Sequence, residues 1–234
     1  MKDRWRMLIP PLPRDRPRQR KAEGERVVLL HGLWRSVWAM EGMAEALHEA
    51  GYETVTVPYA SFRKPMGEIV EGVETEIRRL DDGKRVHFVT HSMGGIVLRH
   101  LAERAPDLVT GKIVMLAPPN QGSEIIDWLD QNPLRRLAHL AFGPGGMGLK
   151  TGEVREKVPG FSEETEVAVI MGRKRAVPFF TPLLKGEHDG IVSVEGGEVV
   201  GMSKLEVLDA DHTFMMAEPE VREKVIRFLK GKAG

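Results

Sequence analysis

The feature that most narrows what this chain can fold into is one stretch, Arg85-Val86-His87-Phe88-Val89-Thr90-His91-Ser92-Met93-Gly94-Gly95. An apolar run of strand type enters it, a serine stands at the corner, and a helical pattern opens from two glycines directly afterwards. A sharp strand-to-helix turn of this kind, a nucleophile elbow, lifts a serine hydroxyl clear of the backbone and aims backbone N–H groups at the group it attacks. The question it poses to the other residues is whether they supply a base.

From residue 26 onward, strand-like and helix-like patterns alternate, which predicts a doubly wound, mostly parallel α/β sheet flanked by helices. Residues 26–31 are a continuous apolar run of the kind a doubly covered strand shows, ending in His31-Gly32-Leu33-Trp34. Residues 37–50 read as a helix with Ser36 as N-cap and Gly51 as stop signal. A strand at 52–58 and a helix at 66–80 follow; Ile69, Val73, Ile77 and Leu80 recur at helical spacing in the latter. After the turn at Asp82-Gly83 come the strand 86–90 and a helix from Gly94 to Ala105, ended by Pro106. Strands at 112–117, 166–171 and 205–208 and a closing helix at 220–230 complete the pattern.

Two segments depart from it. Residues 1–25 interleave Lys2, Arg4, Arg6, Arg14, Arg16, Arg18, Arg20 and Lys21 with Pro10, Pro11, Pro13 and Pro17, without an apolar stretch of signal-peptide or membrane-span length. They read as a basic, proline-rich arm lying as a solvated extension on a domain of residues 26–234. A peripheral contact with an anionic membrane, helped by Trp5, Met7, Leu8 and Ile9, is the functional alternative. Residues 121–164 form an insertion with an amphipathic piece at 123–140 and a flexible run from Gly143 to Gly148. Its apolar residues Trp128, Leu129, Leu134, Leu137, Leu140, Phe142 and Met147 either line a site as a helical lid or pack onto the sheet.

Composition removes several chemistries. The 234 residues carry 34 basic and 34 acidic side chains, so no overall field points to nucleic acid. Absence of cysteine removes disulfides, thiol catalysis and thiolate-bound metal, and is compatible with a cytoplasmic location. The histidines and carboxylates show no H-x-x-x-H pair or clustered ligand spacing, and Gly143 to Gly148 lacks the Lys-Ser/Thr of a phosphate loop. Neither a metal nor a cofactor is expected, and oligomeric state stays open.

A serine hydroxyl needs a histidine to take its proton and a carboxylate to orient that histidine. In doubly wound sheets such groups gather at the carboxyl ends of the strands. There the chain places Gly186-Glu187-His188-Asp189-Gly190 and Asp209-Ala210-Asp211-His212-Thr213. Ser92, Asp189 and His212 then follow in the order expected when an elbow serine comes first. His188 is the rival base, and Glu187, Asp209 and Asp211 are the rival acids, with Asp189 preferred because Gly190 permits a tight turn. His91 points away from the hydroxyl and reads either as a packing residue or as one that supports the site from behind, and His31 as a structural one bonded to backbone.

These landmarks, together with Leu29-Leu30-His31-Gly32-Leu33 and Ala117-Pro118-Pro119-Asn120-Gln121-Gly122-Ser123, resemble the α/β-hydrolase superfamily over residues 27 to about 228. More narrowly they are similar to its lipase-like and esterase-like branch, which includes relatives of the GPI-inositol deacylases. The resemblance implies Ser92 as nucleophile, His212 as base and Asp189 as its carboxylate, with the N–H groups of Leu33 and Met93 as oxyanion hole. It implies a lipase-like or esterase-like activity on small-molecule or lipid esters, with Trp34, Trp128, Phe142 and Met147 toward the substrate. Acyl transfer, thioester or amide cleavage by the same residues, and a non-catalytic binding protein of the same fold, are the alternatives. The elbow pattern G-x-S-x-G is met except that Thr90 replaces the first glycine, which requires room that Gly94 and Gly95 are expected to provide.

Overall fold

The computed structural model describes residues 4–10, 15–131, 133, 135–175 and 178–231. Seven strands build one sheet: β1 (Arg18–Arg20), β2 (Arg26–Leu30), β3 (Glu53–Thr56), β4 (Val86–His91), β5 (Ile113–Leu116), β6 (Val167–Gly172) and β7 (Lys204–Leu208). Their order is β1-β3-β2-β4-β5-β6-β7, parallel throughout except for β1, which runs antiparallel to β3. Every residue of β2, β4, β5 and β6 is buried, as the continuous apolar runs require of strands covered on both faces.

The covering helices are α1 (Glu41–Glu49), α2 (Met66–Arg78), α3 (Met93–Arg104) and α7 (Pro219–Leu229), with α4 (Glu124–Gln131), α5 (Arg135–Met147) and α6 (Thr151–Lys157) in the insertion. Helix α1 packs with α7, and α2 with α3. Each turns a periodic apolar face to the sheet: Ile69, Val70, Val73 and Ile77 in α2, and Val221, Val225 and Leu229 in α7. The chain leaves β2 for β3 on one side and returns to β4 on the other. That reversal of strand order opens a crevice beyond the carboxyl ends of β2 and β4, where ligands of open α/β sheets bind. Among the described residues no helix is long and apolar enough to cross a membrane.

Several expectations need correction. Ser36 does not cap a helix with its side chain; its hydroxyl donates to the Ile9 carbonyl at 2.9 Å, and a 3₁₀ turn (Val37–Met40) precedes α1. Gly51 does end α1: at φ 101° it carries a Schellman pair, Tyr52 N–H to Leu47 O at 3.1 Å and Gly51 N–H to His48 O at 2.9 Å. The run from Gly143 to Gly148 is not a loose loop. Gly143 at φ 61° kinks α5, which continues to Met147.

The arm, in turn, is partly built into the sheet. Arg18 and Arg20 point to one side of β1 and both reach the buried Glu41 carboxylate, at 2.9 and 2.5 Å. Gln19 points to the other side and donates to Glu53 at 2.9 Å, the alternation a strand imposes. Met7 lies in the core and its carbonyl accepts from Arg35 at 3.1 Å, whereas Trp5 and Leu8 are exposed. Lys2, Pro11, Pro13 and Arg14 of the arm, and Leu134 of the insertion, lie outside the described residues.

Candidate active site

Ser92 stands between β4 and α3 at φ 52°, ψ −123°, a backbone region that L-residues rarely adopt. One bond to β5 and one within the elbow hold it there: Ser92 N–H donates to Leu116 O at 2.8 Å and Gly95 N–H to Ser92 O at 2.9 Å. The elbow is tight against β2. A methyl group on Gly94 would lie 2.5 Å from the Leu30 carbonyl oxygen, so only glycine allows α3 to start where it does.

His212 follows β7 in a turn shaped by Asp211, whose Oδ1 accepts from the N–H groups of Thr213 and Phe214, both at 2.9 Å. The imidazole Nε2 lies 3.0 Å from Ser92 Oγ, and Nδ1 lies 2.7 Å from Asp189 Oδ2. A carboxylate only accepts, so Nδ1 carries the ring proton and Nε2 is left to accept from the serine hydroxyl. Asp189 Oδ1 accepts from the N–H groups of Ile191 and Val192 at 2.9 and 2.8 Å. The Asp189 carboxylate is fully buried and held at both oxygens.

The rivals are placed elsewhere. His188 Nδ1 accepts from Gly190 N–H at 3.1 Å, within the turn that presents Asp189. Glu187 and Asp209 are exposed, and Asp211 is occupied by its own turn. His91, fully buried, donates from Nε2 to the His212 carbonyl at 2.8 Å, so it clamps the backbone of the loop that carries His212. Burial, with His212 nearby, holds the His91 ring well below the ordinary imidazole pKa and therefore neutral. The role of Asp211 escaped the sequence reading, although an Asp two residues before a turn N–H is itself a recognisable signal; His91 takes the supporting place behind the site that was one of its two expected roles.

The turn after β2 lies directly on the serine: a methyl on Gly32 would come within 3.2 Å of Ser92 Cβ and 2.9 Å of His91 Nδ1. Met93 is the first residue of α3, where a backbone N–H has no acceptor within the helix.

A cleft of about 220 Å³ opens at Ser92 and His212. Its walls are apolar, with Leu33, Ile125, Ile126, Phe142, Leu149 and Phe180 prominent; Arg35 also lines it, and among the described residues no acidic side chain does. Of the residues expected toward substrate, Trp34 and Phe142 line this cleft, while Trp128 and Met147 do not. On α4 the buried face is Ile125 and Ile126, which leaves Trp128 partly exposed on another face, and Met147 packs into the core. Phe180, Ile191 and Val192 were missed because they sit in segments without periodicity.

A mostly parallel sheet, an elbow serine at the strand-order reversal and a histidine and acid on later strand ends together define an α/β hydrolase. The chain belongs to the alpha/beta hydrolase family, whose sequence model matches residues 27–222. It is 31% identical over 130 residues to the triacylglycerol lipase of Pseudomonas fragi, which covers 52% of this chain and 41% of the lipase. The chain thus spans about two fifths of that relative's length. It is also similar to a Mycobacterium phage D29 protein named for the non-heme haloperoxidases, 28% identical over 248 residues, 87% of this chain and 86% of that one. Among solved structures, the mature lipase BlEst2 of Bacillus licheniformis superposes with a TM-score of 0.72 at 19% identity over 91% of this chain and 95% of that one.

Proposed function

We propose that the chain is a serine hydrolase that cleaves carboxylic esters with an apolar acyl group through an acyl-enzyme intermediate. The observation that carries this reading is the unbroken series from Ser92 Oγ through His212 to Asp189, at 3.0 and 2.7 Å, opening onto an apolar cleft. Ser92 attacks the ester carbonyl as His212 Nε2 takes its proton, and Asp189 stabilises the imidazolium that results. The oxyanion is received by the N–H groups of Met93 and Leu33. Collapse of the tetrahedral species expels the alkoxide, which takes the proton from Nε2. Water, deprotonated by the same nitrogen, then attacks the acyl-serine and releases the acid.

The insertion, with Phe142 and Leu149 at the cleft, acts in this reading as the cap that selects the acyl group. The likeness to a lipase supports an ester as substrate. Hydrolysis of p-nitrophenyl butyrate tests the reading: Ser92→Ala is expected to lose at least about 10⁴ in kcat, as removal of a triad nucleophile does elsewhere. A Ser92→Ala protein that retains the wild-type rate contradicts it.

A further inference from the structure

The turn that carries Leu33 is held by contacts that no step of the proposed reaction uses. The peptide joining Gly32 to Leu33 is planar and trans, so its C=O and N–H point in opposite directions and fixing one aims the other. The Gly32 carbonyl accepts from His31 Nδ1–H at 2.9 Å and from Arg35 N–H at 3.3 Å. His31 is itself locked. Its ring lies on that of Tyr59, with centroids 4.1 Å apart and planes 8° from parallel, and the Tyr59 hydroxyl donates to the His31 carbonyl.

On the other side of Leu33, the N–H of Trp34 donates to Ser61 Oγ at 3.2 Å. Trp34 sits at φ 63°, outside the usual range for an L-residue, and its ring stacks on Phe62 at 4.5 Å. The peptides flanking Leu33 are therefore pinned from a single segment, 59–62, just beyond β3. That segment also seats the cap. Methyl groups on Gly143 and Gly145 would stand 1.8 Å from the Phe62 carbonyl oxygen and 2.2 Å from that of Ser61, so α5 lies directly on it.

We propose that Tyr59 and Ser61 are positioning residues for the reaction: they hold residues 31–34 so that the Leu33 N–H stays aimed at the oxyanion as it forms. The inference rests on the ester-hydrolase reading above. Neither side chain lines the cleft. Leu33 and Trp34 do line it, and the Trp34 ring keeps its stack on Phe62 when either hydroxyl is removed, so the effect is expected mainly on the transition state and little on ground-state binding of substrate.

The test uses the full chain with Tyr59→Phe, which keeps the ring stack and removes the hydroxyl, and Ser61→Ala, which removes the acceptor. Steady-state hydrolysis of a p-nitrophenyl ester and inhibition by a trifluoromethyl ketone, which forms a tetrahedral adduct on serine, are measured with each. In both variants kcat is expected to fall about tenfold with KM within about twofold, a fraction of what loss of an oxyanion donor costs. Affinity for the ketone falls by the same factor. Folded variants with wild-type kcat, a raised KM at unchanged kcat, or ketone affinity that does not follow kcat overturn the inference. If Tyr59→Phe does not fold, Ser61→Ala decides alone. A folded wild type that hydrolyses no ester overturns the underlying reading and this inference with it, whereas an active wild type with unaffected variants overturns this inference only.

Discussion

Thr90 and Gly95 face each other across the first turn of α3: a methyl group on Gly95 would stand 3.4 Å from Thr90 Oγ1, and 2.7 and 2.9 Å from Met115 Cε and Pro118 Cβ. The elbow thus exchanges a strand-side glycine for Thr90, while the space that Gly95 leaves on the helix side is taken by Met115 and Pro118, Thr90 Oγ1 lying at ordinary contact distance from a methyl there. Thr90 Oγ1 is buried with no hydrogen-bond partner among the described residues. Two outcomes follow from this exchange. Gly95→Ala overpacks the contact and costs about 1–3 kcal/mol, a fall of roughly 3–10 °C in Tm, with reduced kcat because the elbow is displaced. Thr90→Val fills the same volume without an unpaired hydroxyl and raises stability by about 1 kcal/mol at unchanged kcat. Urea unfolding and ester turnover on the same preparations read both; a stabilising Gly95→Ala contradicts the packing argument.

Docking of the arm is expected to be acid-sensitive. Burial alone would raise the Glu41 carboxyl, but the hydrogen bonds and charges of Arg18 and Arg20 outweigh it and hold it at about 2, against 4.5 ordinarily. A carboxyl depressed in the folded state contributes stability that is complete above its unfolded pKa and is lost as pH falls from about 4.5 to 2. Glu41→Gln is expected to cost on the order of 1–2 kcal/mol at pH 7, the arginines being partly exposed and screened. In urea titrations the difference from wild type shrinks as pH falls through that window. A pH-independent difference contradicts the assignment.

How much of this was legible in sequence divides along physical lines. Strands β2, β4, β5 and β6 are buried along their whole length and read as largely apolar runs; Ser92, Asp189 and His212 follow β4, β6 and β7 in the chain, where local pattern and chain order single them out as candidates. Strand β1 is Arg-Gln-Arg and carries no apolar alternation; it is a strand because Glu41 and Glu53, 21 to 34 positions away, receive its side chains. The cleft wall was the least legible part. Whether Ile126 or Trp128 faces the serine depends on how α4 rolls against the sheet, and both lie on one amphipathic helix. The tilt of that helix is set by contacts distant in sequence, such as Asp127 with Thr151.

If the chain cleaves acyl esters as proposed, the cleft sets the acyl length. A cavity of 150 Å³ accommodates benzene, so about 220 Å³ holds an apolar group of roughly nine carbons. Each buried methylene contributes about 0.8 kcal/mol, so kcat/KM for p-nitrophenyl esters is expected to climb up to about fourfold per carbon and level off near C8 to C10. Ile126→Trp narrows the wall and moves the optimum to shorter chains. Highest kcat/KM on palmitate, in wild type, contradicts the size argument.

The centre of the proposed chemistry is Ser92 as a nucleophile activated by His212. The direct measurement is intact mass after exposure to a fluorophosphonate, with peptide mapping, on wild type, Ser92→Ala and His212→Asn. The expected result is one phosphonyl adduct on Ser92 in wild type, none in Ser92→Ala, and labelling slowed by at least about 10³ in His212→Asn, since an unassisted serine is a poor nucleophile. Folded wild type that takes up no label on Ser92, or His212→Asn labelled at the wild-type rate, would contradict it.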